Sequence, residues 1–285
     1  MSTKPFDGVI GKRNAITKRQ LKDIRKLYNE WAREVRAEAD RLKYLNSASS
    51  YTKRKELTKL YYQLRNASKA LSAKIGDTAI KGATDIKDIV VATNKRWLNS
   101  LGMSTISKDY ILSKRANSAI INIITGRAYG GTGLSNRIWN LSRVHEKDIY
   151  NIIAKGEMMG LPPEQIARQI QKYVNPKYRF PWNGRYVDPK TGRVSYYPVR
   201  GRKVDYNATR LVRTTIQHAY QSSLVEVTRD NPLLKGYMWI AAGGHPCDLC
   251  LDRDGNIYSA DSIPFDHPNG QCEIEPIFLE SPLDY

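Results

Sequence analysis

Residues 18–45 read KRQLKDIRKLYNEWAREVRAEADRLKYL, and their spacing decides the fold class. Apolar side chains fall at Leu21, Ile24, Tyr28, Trp31, Val35 and Leu42, three or four apart or at multiples of that, while most other positions are charged. That pattern lines one face of a helix. C-terminal to it, the small polar run Asn46-Ser-Ala-Ser-Ser50 favours a break, and Leu57, Leu60, Leu64, Ala67 and Leu71 repeat the stripe. Two helices with apolar stripes and a short connection predict an antiparallel hairpin arm over residues 1–80, packed on itself or on another subunit. Leu21, Ile24, Tyr28, Trp31 and Val35 are therefore the candidate partner-binding residues, since a large apolar side chain left in water forfeits about 1.5–3 kcal/mol.

Farther along, residues 84–100, 106–125 and 136–158 keep the helical period, separated by Gly102 and by the glycine-rich stretch 126–133. Gly130-Gly-Thr-Gly133 fits neither GxxxxGK[ST] nor GxGxxG and follows no strand pattern, so it reads as a connection and not a phosphate loop. Gly160-Leu-Pro-Pro163 supplies a stop, and its prolines preset the first turn of a helix from Glu164 to about Tyr173. Residues 81–174 thus form a helical body.

Between residues 175 and 205 the texture changes. Tyr178, Phe180, Trp182, Tyr186, Tyr196 and Tyr197 are interleaved with Lys177, Arg179, Arg185, Lys190, Arg193, Arg200, Arg202 and Lys203. The turn chemistry of Val187-Asp-Pro-Lys-Thr-Gly-Arg193 predicts a hairpin-like insertion. Guanidinium and ammonium groups beside aromatic faces suit nucleic acid, which makes Lys177, Arg179, Arg185, Arg193, Arg200, Arg202 and Lys203 candidate nucleic-acid contacts; the same texture also suits docking on a protein.

The whole chain of 285 residues carries 46 Lys+Arg against 28 Asp+Glu, a net charge of +18, with 41% hydrophobic residues. This composition excludes disorder throughout and leaves room for a substantial core. The imbalance is uneven: residues 1–207 hold 41 basic and 17 acidic side chains, residues 208–285 hold 5 and 11. A basic body attracts polyanions, double-stranded DNA first among them, whereas the acidic end is expected to meet protein. No apolar run approaches membrane-spanning length and the N-terminus lacks a secretory pattern, so a soluble protein with no membrane partner is expected.

The sharpest signal lies in residues 206–285. A helix is predicted from Tyr206 to about Arg229, then extended residues at Tyr237, Met238, Trp239 and Ile240. There follow Gly243-Gly-His-Pro-Cys-Asp-Leu-Cys250 and Pro264-Phe-Asp-His-Pro-Asn-Gly-Gln-Cys272. All three cysteines of the chain lie here, an odd number that argues against a disulfide framework and for a reducing compartment. Cys247 and Cys250 on one tight turn, with His267 and Cys272 from a second loop, can supply the tetrahedral nitrogen–sulfur shell of a structural Zn²⁺. His245 is a rival fourth ligand, less convenient beside Pro246. Small buried thiols and a packed imidazole are the plainer alternative.

The run Tyr206-Asn-Ala-Thr-Arg-Leu-Val-Arg-Thr214, the Met238-Trp239-Ile240 strand, Cys247-Asp-Leu-Cys250 with Asp254-Gly255, and His267-Pro268 with Cys272 together resemble the phage head morphogenesis domain, the Mu F-like minor capsid family. Gly133-Leu-Ser-Asn-Arg-Ile-Trp139 and Gly160-Leu-Pro-Pro-Glu-Gln-Ile-Ala167 extend the likeness over roughly residues 105–280. Family members usually carry Cys-Arg-Cys after His-Pro; here the stretch reads Gln271-Cys272-Glu273, one cysteine fewer. The resemblance implies a minor head protein of a tailed phage: a virion protein bound to the portal and to other capsid proteins, incorporated into the procapsid at the capsid interior or portal vertex, and present in host cytoplasm during assembly. It implies no enzymatic reaction.

The fold expected is mainly α, with a small C-terminal α+β module. Two rival functions stand beside the structural one. An HNH-type nuclease would need a general base and further metal ligands downstream, yet no second histidine follows His267. A non-specific DNA-binding protein ending in a zinc ribbon would want a basic ribbon, and this one is acidic.

Overall fold

The computed structural model describes residues 5–103, 105–127, 132–187, 191, 194–242 and 246–279. It is mainly helical with a small C-terminal strand module, as the periodicity predicts. Helix α1 spans Val9–Arg41 and runs through a 3-10 turn at Leu42–Ser47 toward α2, Ser50–Ser100. Then come α3 (Ile106–Thr125), α4 (Leu134–Met158), α5 (Pro163–Val174), the strands β1 (Phe180–Val187) and β2 (Val194–Arg202), and α6 (Tyr206–Thr228). The chain closes with β3 (Leu234–Ile240), the short α7 (Asp248–Arg253), β4 (Ile257–Tyr258) and β5 (Glu273–Phe278). Among the described residues no helix is long and apolar enough to cross a membrane.

Local chemistry explains most of the boundaries. Thr105 caps α3 by accepting from the Lys108 amide at 3.2 Å. Gly102, at φ 68°, ends α2, with Met103 N–H bonded back to the Leu98 carbonyl at 2.9 Å. Gly160, at φ 67°, does the same for α4 through Leu161 N–H and the Gly156 carbonyl, also 2.9 Å. Both are six-to-one closures around a left-handed residue that glycine adopts without penalty.

One expected boundary is missing: α2 passes straight through residue 80, where the hairpin arm was to end. Gly82 does not interrupt it, because a Cβ there would come within 2.6 Å of Ile216 Cδ1; the glycine permits close approach of α6. Compact units therefore do not follow chain order. Unit 1 comprises Met1–Leu21, Gly76–Arg137 and Arg210–Tyr285, and unit 2 comprises Lys22–Ile75 and Ile138–Thr209.

In unit 2 the hairpin forms as expected, pinned near its tip by an Arg41–Glu56 ion pair at 3.0 Å. The apolar stripe is buried within the chain: Ile24, Tyr28 and Val35 have no exposed surface, Trp31 has 3%, and only Leu21, in unit 1, is half-buried. Ile24, Tyr28, Trp31 and Val35 are thus not a free partner-facing surface, because the chain covers them itself. His145 of α4 lies edge-on to Tyr28 and Trp31, with ring centroids at 5.7 and 5.5 Å. α4 runs antiparallel to α2, as Ser68 meeting the Ser142 carbonyl and Arg65 pairing with Glu146 at 2.8 Å require. β1 and β2 form the antiparallel pair predicted for the insertion, with Val187 opposite Val194.

In unit 1, β3 is the centre of a three-stranded antiparallel sheet ordered β4-β3-β5. Tyr237 and Trp239 are fully buried from β3, and Ile274 from β5. Gly236 lets β4 come close, since a Cβ there would sit 2.7 Å from Ile257 Cγ2. Buried Ala208 starts the internal stripe of α6 in unit 2, and Val212, Ile216, Ala219 and Leu224 continue it in unit 1.

Candidate metal centre

The cysteine knuckle is built by α7. Cys247 precedes its first turn in extended conformation, and the Cys247 carbonyl accepts from the amides of Cys250 and Leu251 at 2.8 and 3.0 Å. This tight turn brings the Cys247 and Cys250 sulfurs to 3.5 Å. Beyond α7, Asp254 accepts from the Ala241 amide at 2.7 Å, and Gly255 N–H reaches the Trp239 carbonyl at 2.9 Å. The knuckle is so tied to the end of β3. Arg253 lies over the Trp239 ring at 5.3 Å from its centroid.

The second loop turns at His267-Pro-Asn-Gly270. Gly270 N–H bonds the His267 carbonyl at 2.8 Å, and Asn269 has φ 72°. Proline second and a left-handed residue third is the chemistry of a type II turn. The turn delivers Cys272, 2% exposed, toward Cys250, which is fully buried.

The residues Cys247, Cys250, His267 and Cys272 form a group that could hold a metal ion. Together with Asp266 they fall into two overlapping triads, Cys247–Cys250–His267 and Cys250–Asp266–Cys272, with all donor atoms of a triad within 4.8 Å of one another. Burial and the two neighbouring thiols push the Cys250 thiol well above its ordinary range. Crowded, desolvated thiols gain most from a cation that takes their protons' place, so the donor set fits a soft divalent metal. His245, the rival ligand, lies outside the described residues.

What the sequence did not reveal is how the second loop is held. One face of α6 carries a ladder of polar side chains aimed at it. Thr214 Oγ1 accepts from the Asn269 amide at 2.9 Å, and Arg213 donates to the Asn269 side-chain carbonyl. Gln217 Nε2 donates to the Cys272 carbonyl and, at 3.3 Å, to Asp266 Oδ2. His218 Nε2 donates to the Asp266 carbonyl at 2.7 Å, and Gln221 accepts from the Asp266 amide at 3.2 Å. Arg13 of α1 completes the ladder, donating to Gln217 Oε1 at 2.8 Å and pairing with Glu273 at 3.4 Å. His218 is pushed down to about 4 by burial, and burial also raises Asp266 and Glu273 above the usual carboxylate range.

In the sequence Arg213 and Thr214 stood out in the run that carries the family resemblance, His218 as part of a helix and Asp266 beside His267 after the knuckle, whereas Gln217 and Gln221 carried no signal. The three-to-four spacing of Arg213, Thr214, Gln217, His218 and Gln221 on α6 matters only once a partner loop lies along that face.

Of the expected nucleic-acid residues, the four whose side chains are described, Lys177, Arg179, Arg202 and Lys203, lie at the end of the β1–β2 pair where Phe180 stands opposite Arg202. Lys177 and Arg179 are exposed, and Arg179 donates to the Gly201 carbonyl at 2.9 Å. Arg202 is half-buried with its guanidinium 4.2 Å from the Tyr206 ring centroid, and Lys203 is half-buried. Arg193 and the side chains of Arg185 and Arg200 lie outside the described residues.

A basic and aromatic groove that the sequence reading missed lies between α2 and α4 of unit 2. It encloses about 700 Å³ and is lined by Arg65, Lys69, Trp139, Arg143, Lys147 and Tyr150 among others. Trp139 is 56% exposed, with Arg143 over its ring at 4.6 Å.

No protein-family model matches this chain, no curated protein matches it, and no solved structure matches its fold.

Proposed function

We propose that this chain is a structural minor head protein of a tailed phage, bound to the portal, carried into the procapsid and lying against packaged DNA. The observation that carries the reading is the C-terminal module. A helix, a strand, a cysteine knuckle and a His-Pro loop follow in the order of the head morphogenesis domain, and the loop is locked onto α6 by a buried polar ladder. Such a closed assembly gives rigidity to a small acidic sheet, which is what a protein-docking element needs.

Within this reading the metal is one Zn²⁺ per chain with a structural role, since a closed sulfur-rich shell offers no open coordination position. Bound there, it would tie the knuckle to the second loop. The chain's own residues orient the ligands: α7 sets Cys247 and Cys250, and Gln217 with the Asp266 carboxylate fixes the backbone of Cys272. DNA contact rests on the basic charge of residues 1–207 and on the α2/α4 groove, whose cations and exposed indole match phosphates and base faces.

Co-expression with the portal protein, affinity capture and procapsid assembly test the main claim. A stable complex and incorporation into procapsids are expected. If no complex forms and procapsids assembled in its presence exclude the protein, the assignment fails and a non-specific DNA-binding role takes its place. Elemental analysis with chelator-dependent melting tests the metal: equal melting temperatures with and without Zn²⁺ would make the cysteines packing residues only.

A further inference from the structure

We propose that Asp266, and not His267, is the oxygen or nitrogen ligand that completes the metal shell with Cys247, Cys250 and Cys272. The inference rests on the Zn²⁺ reading above and concerns which side chain binds.

Asp266 is 2% exposed, and its Oδ2 is fully engaged, accepting from the Cys272 amide at 3.0 Å and from Gln217 at 3.3 Å. Its Oδ1 is buried and has no hydrogen-bond partner among the described residues. A buried carboxylate oxygen without a donor is costly enough that an ion is among its ordinary explanations. The carboxylate stands within 4.8 Å of the sulfurs of Cys250 and Cys272, in a triad whose three members are all buried.

His267 also lies within 4.8 Å of two sulfurs, those of Cys247 and Cys250, but differs in burial and in its partners. It is half-buried, and its Nδ1 faces the Pro268 carbonyl at 3.3 Å, so its ring keeps both solvent and a protein partner without a metal. The loop geometry favours the aspartate too. A Cβ on residue 270 would fall 2.0 Å from Asp266 Oδ1 and 2.2 Å from Oδ2, so only glycine leaves room for the carboxylate beside the thiols.

Three thiolates and a carboxylate around Zn²⁺ leave a net charge of about −2, which needs compensation in a buried place. The groups facing Asp266 offset part of it: the amide of Cys272, the Gln217 amide group, and the cation of Arg13, 4% exposed, one residue removed through Gln217 and shared with Glu273.

The test uses the full chain loaded with Zn²⁺ or Co²⁺. X-ray absorption of the Zn²⁺ form is expected to show three sulfurs and one light atom without imidazole outer-shell scattering. Asp266→Asn keeps an acceptor for the Cys272 amide, yet is expected to weaken Zn²⁺ binding by about 100-fold or more, since losing even an outer-shell partner costs roughly 10–100-fold. It should also shift the Co²⁺ visible spectrum. His267→Gln is expected to weaken binding much less than Asp266→Asn does and to leave the Co²⁺ spectrum in place. An imidazole signature that vanishes in His267→Gln, or Asp266→Asn with unaltered affinity and spectrum, overturns the proposal. If the wild-type chain loads no metal at all, the Zn²⁺ reading falls and this one with it; loading with an intact Asp266→Asn spectrum overturns this proposal alone.

Discussion

Gly270 and His145 show how much a single position decides here. Gly270 lies where any side chain would collide with the Asp266 carboxylate, so Gly270→Ala must push that group off the Cys272 amide. Overpacking of this kind typically costs about 1–3 kcal/mol, and denaturant unfolding of the variant should show a loss of that size. An unchanged midpoint would mean the loop relaxes freely. His145 sits between two phenols: Tyr28 lies 2.8 Å from Nε2, Tyr173 lies 3.1 Å from Nδ1, and Tyr173 donates to Asp148 at 2.7 Å. Since the Tyr173 proton goes to Asp148, the hydrogen-bond network assigns Nδ1 as the imidazole donor and Nε2 as acceptor from Tyr28.

Burial pushes His145 down from 6.5 to about 4. Between those values the unfolded chain binds a proton that the folded chain refuses. Stability is therefore complete above about pH 6.5, falls as pH drops toward about 4, and levels off below. At about 1.4 kcal/mol per pKa unit the loss is about 3 kcal/mol, and His145→Gln should flatten the slope of unfolding free energy against pH in that window. A slope identical to that of the wild type would assign the acid sensitivity to other groups.

At the scale of elements, Ile24, Tyr28, Trp31 and Val35 of the hairpin stripe are buried in the core of unit 2. Trp31 is 3% exposed and stacks edge-on against His145, while Leu57, Leu60 and Leu64 of α2 are equally buried. Trp31→Ala should cost about 3–5 kcal/mol, as removal of a buried aromatic side chain does. The expected result is a lower melting temperature with proportionate loss of helical circular dichroism. Full stability with lost portal capture would restore the stripe to a docking role. Gly82 makes the same point between α2 and α6, where a missing side chain and not a flexible backbone is what the packing needs.

At the scale of the whole molecule, charge and contact divide the chain differently. Nearly all of the acidic stretch 208–285, namely Arg210–Tyr285, falls with Met1–Leu21 and Gly76–Arg137 in unit 1, so cutting at residue 207 would break that unit. DNA binding must be tested on the full chain. Arg143→Ala with Lys147→Ala removes two cations from the groove and should reduce the slope of log affinity against log salt by about 1–2, since each neutralised phosphate contributes about 0.9. Lys177→Ala with Arg179→Ala probes the exposed start of the insertion in the same assay. A slope unchanged by both pairs would place the DNA contact elsewhere on the basic surface.

By itself the sequence determined the helical class, the hairpin, the strand insertion and the knuckle, because each rests on a local period or spacing: three-to-four repeats in residues 21–71, turn residues in 187–193, C-x2-C at 247–250. The tertiary structure alone decided three things. It covered the Ile24 to Val35 stripe with the chain's own residues, carried α2 past residue 80, and gave Gln217, Gln221 and Asp266 their partners. Those outcomes depend on segments far apart in sequence meeting. A glutamine becomes part of a site only when a loop some fifty residues away presents unpaired backbone groups to it, and no local pattern encodes that meeting.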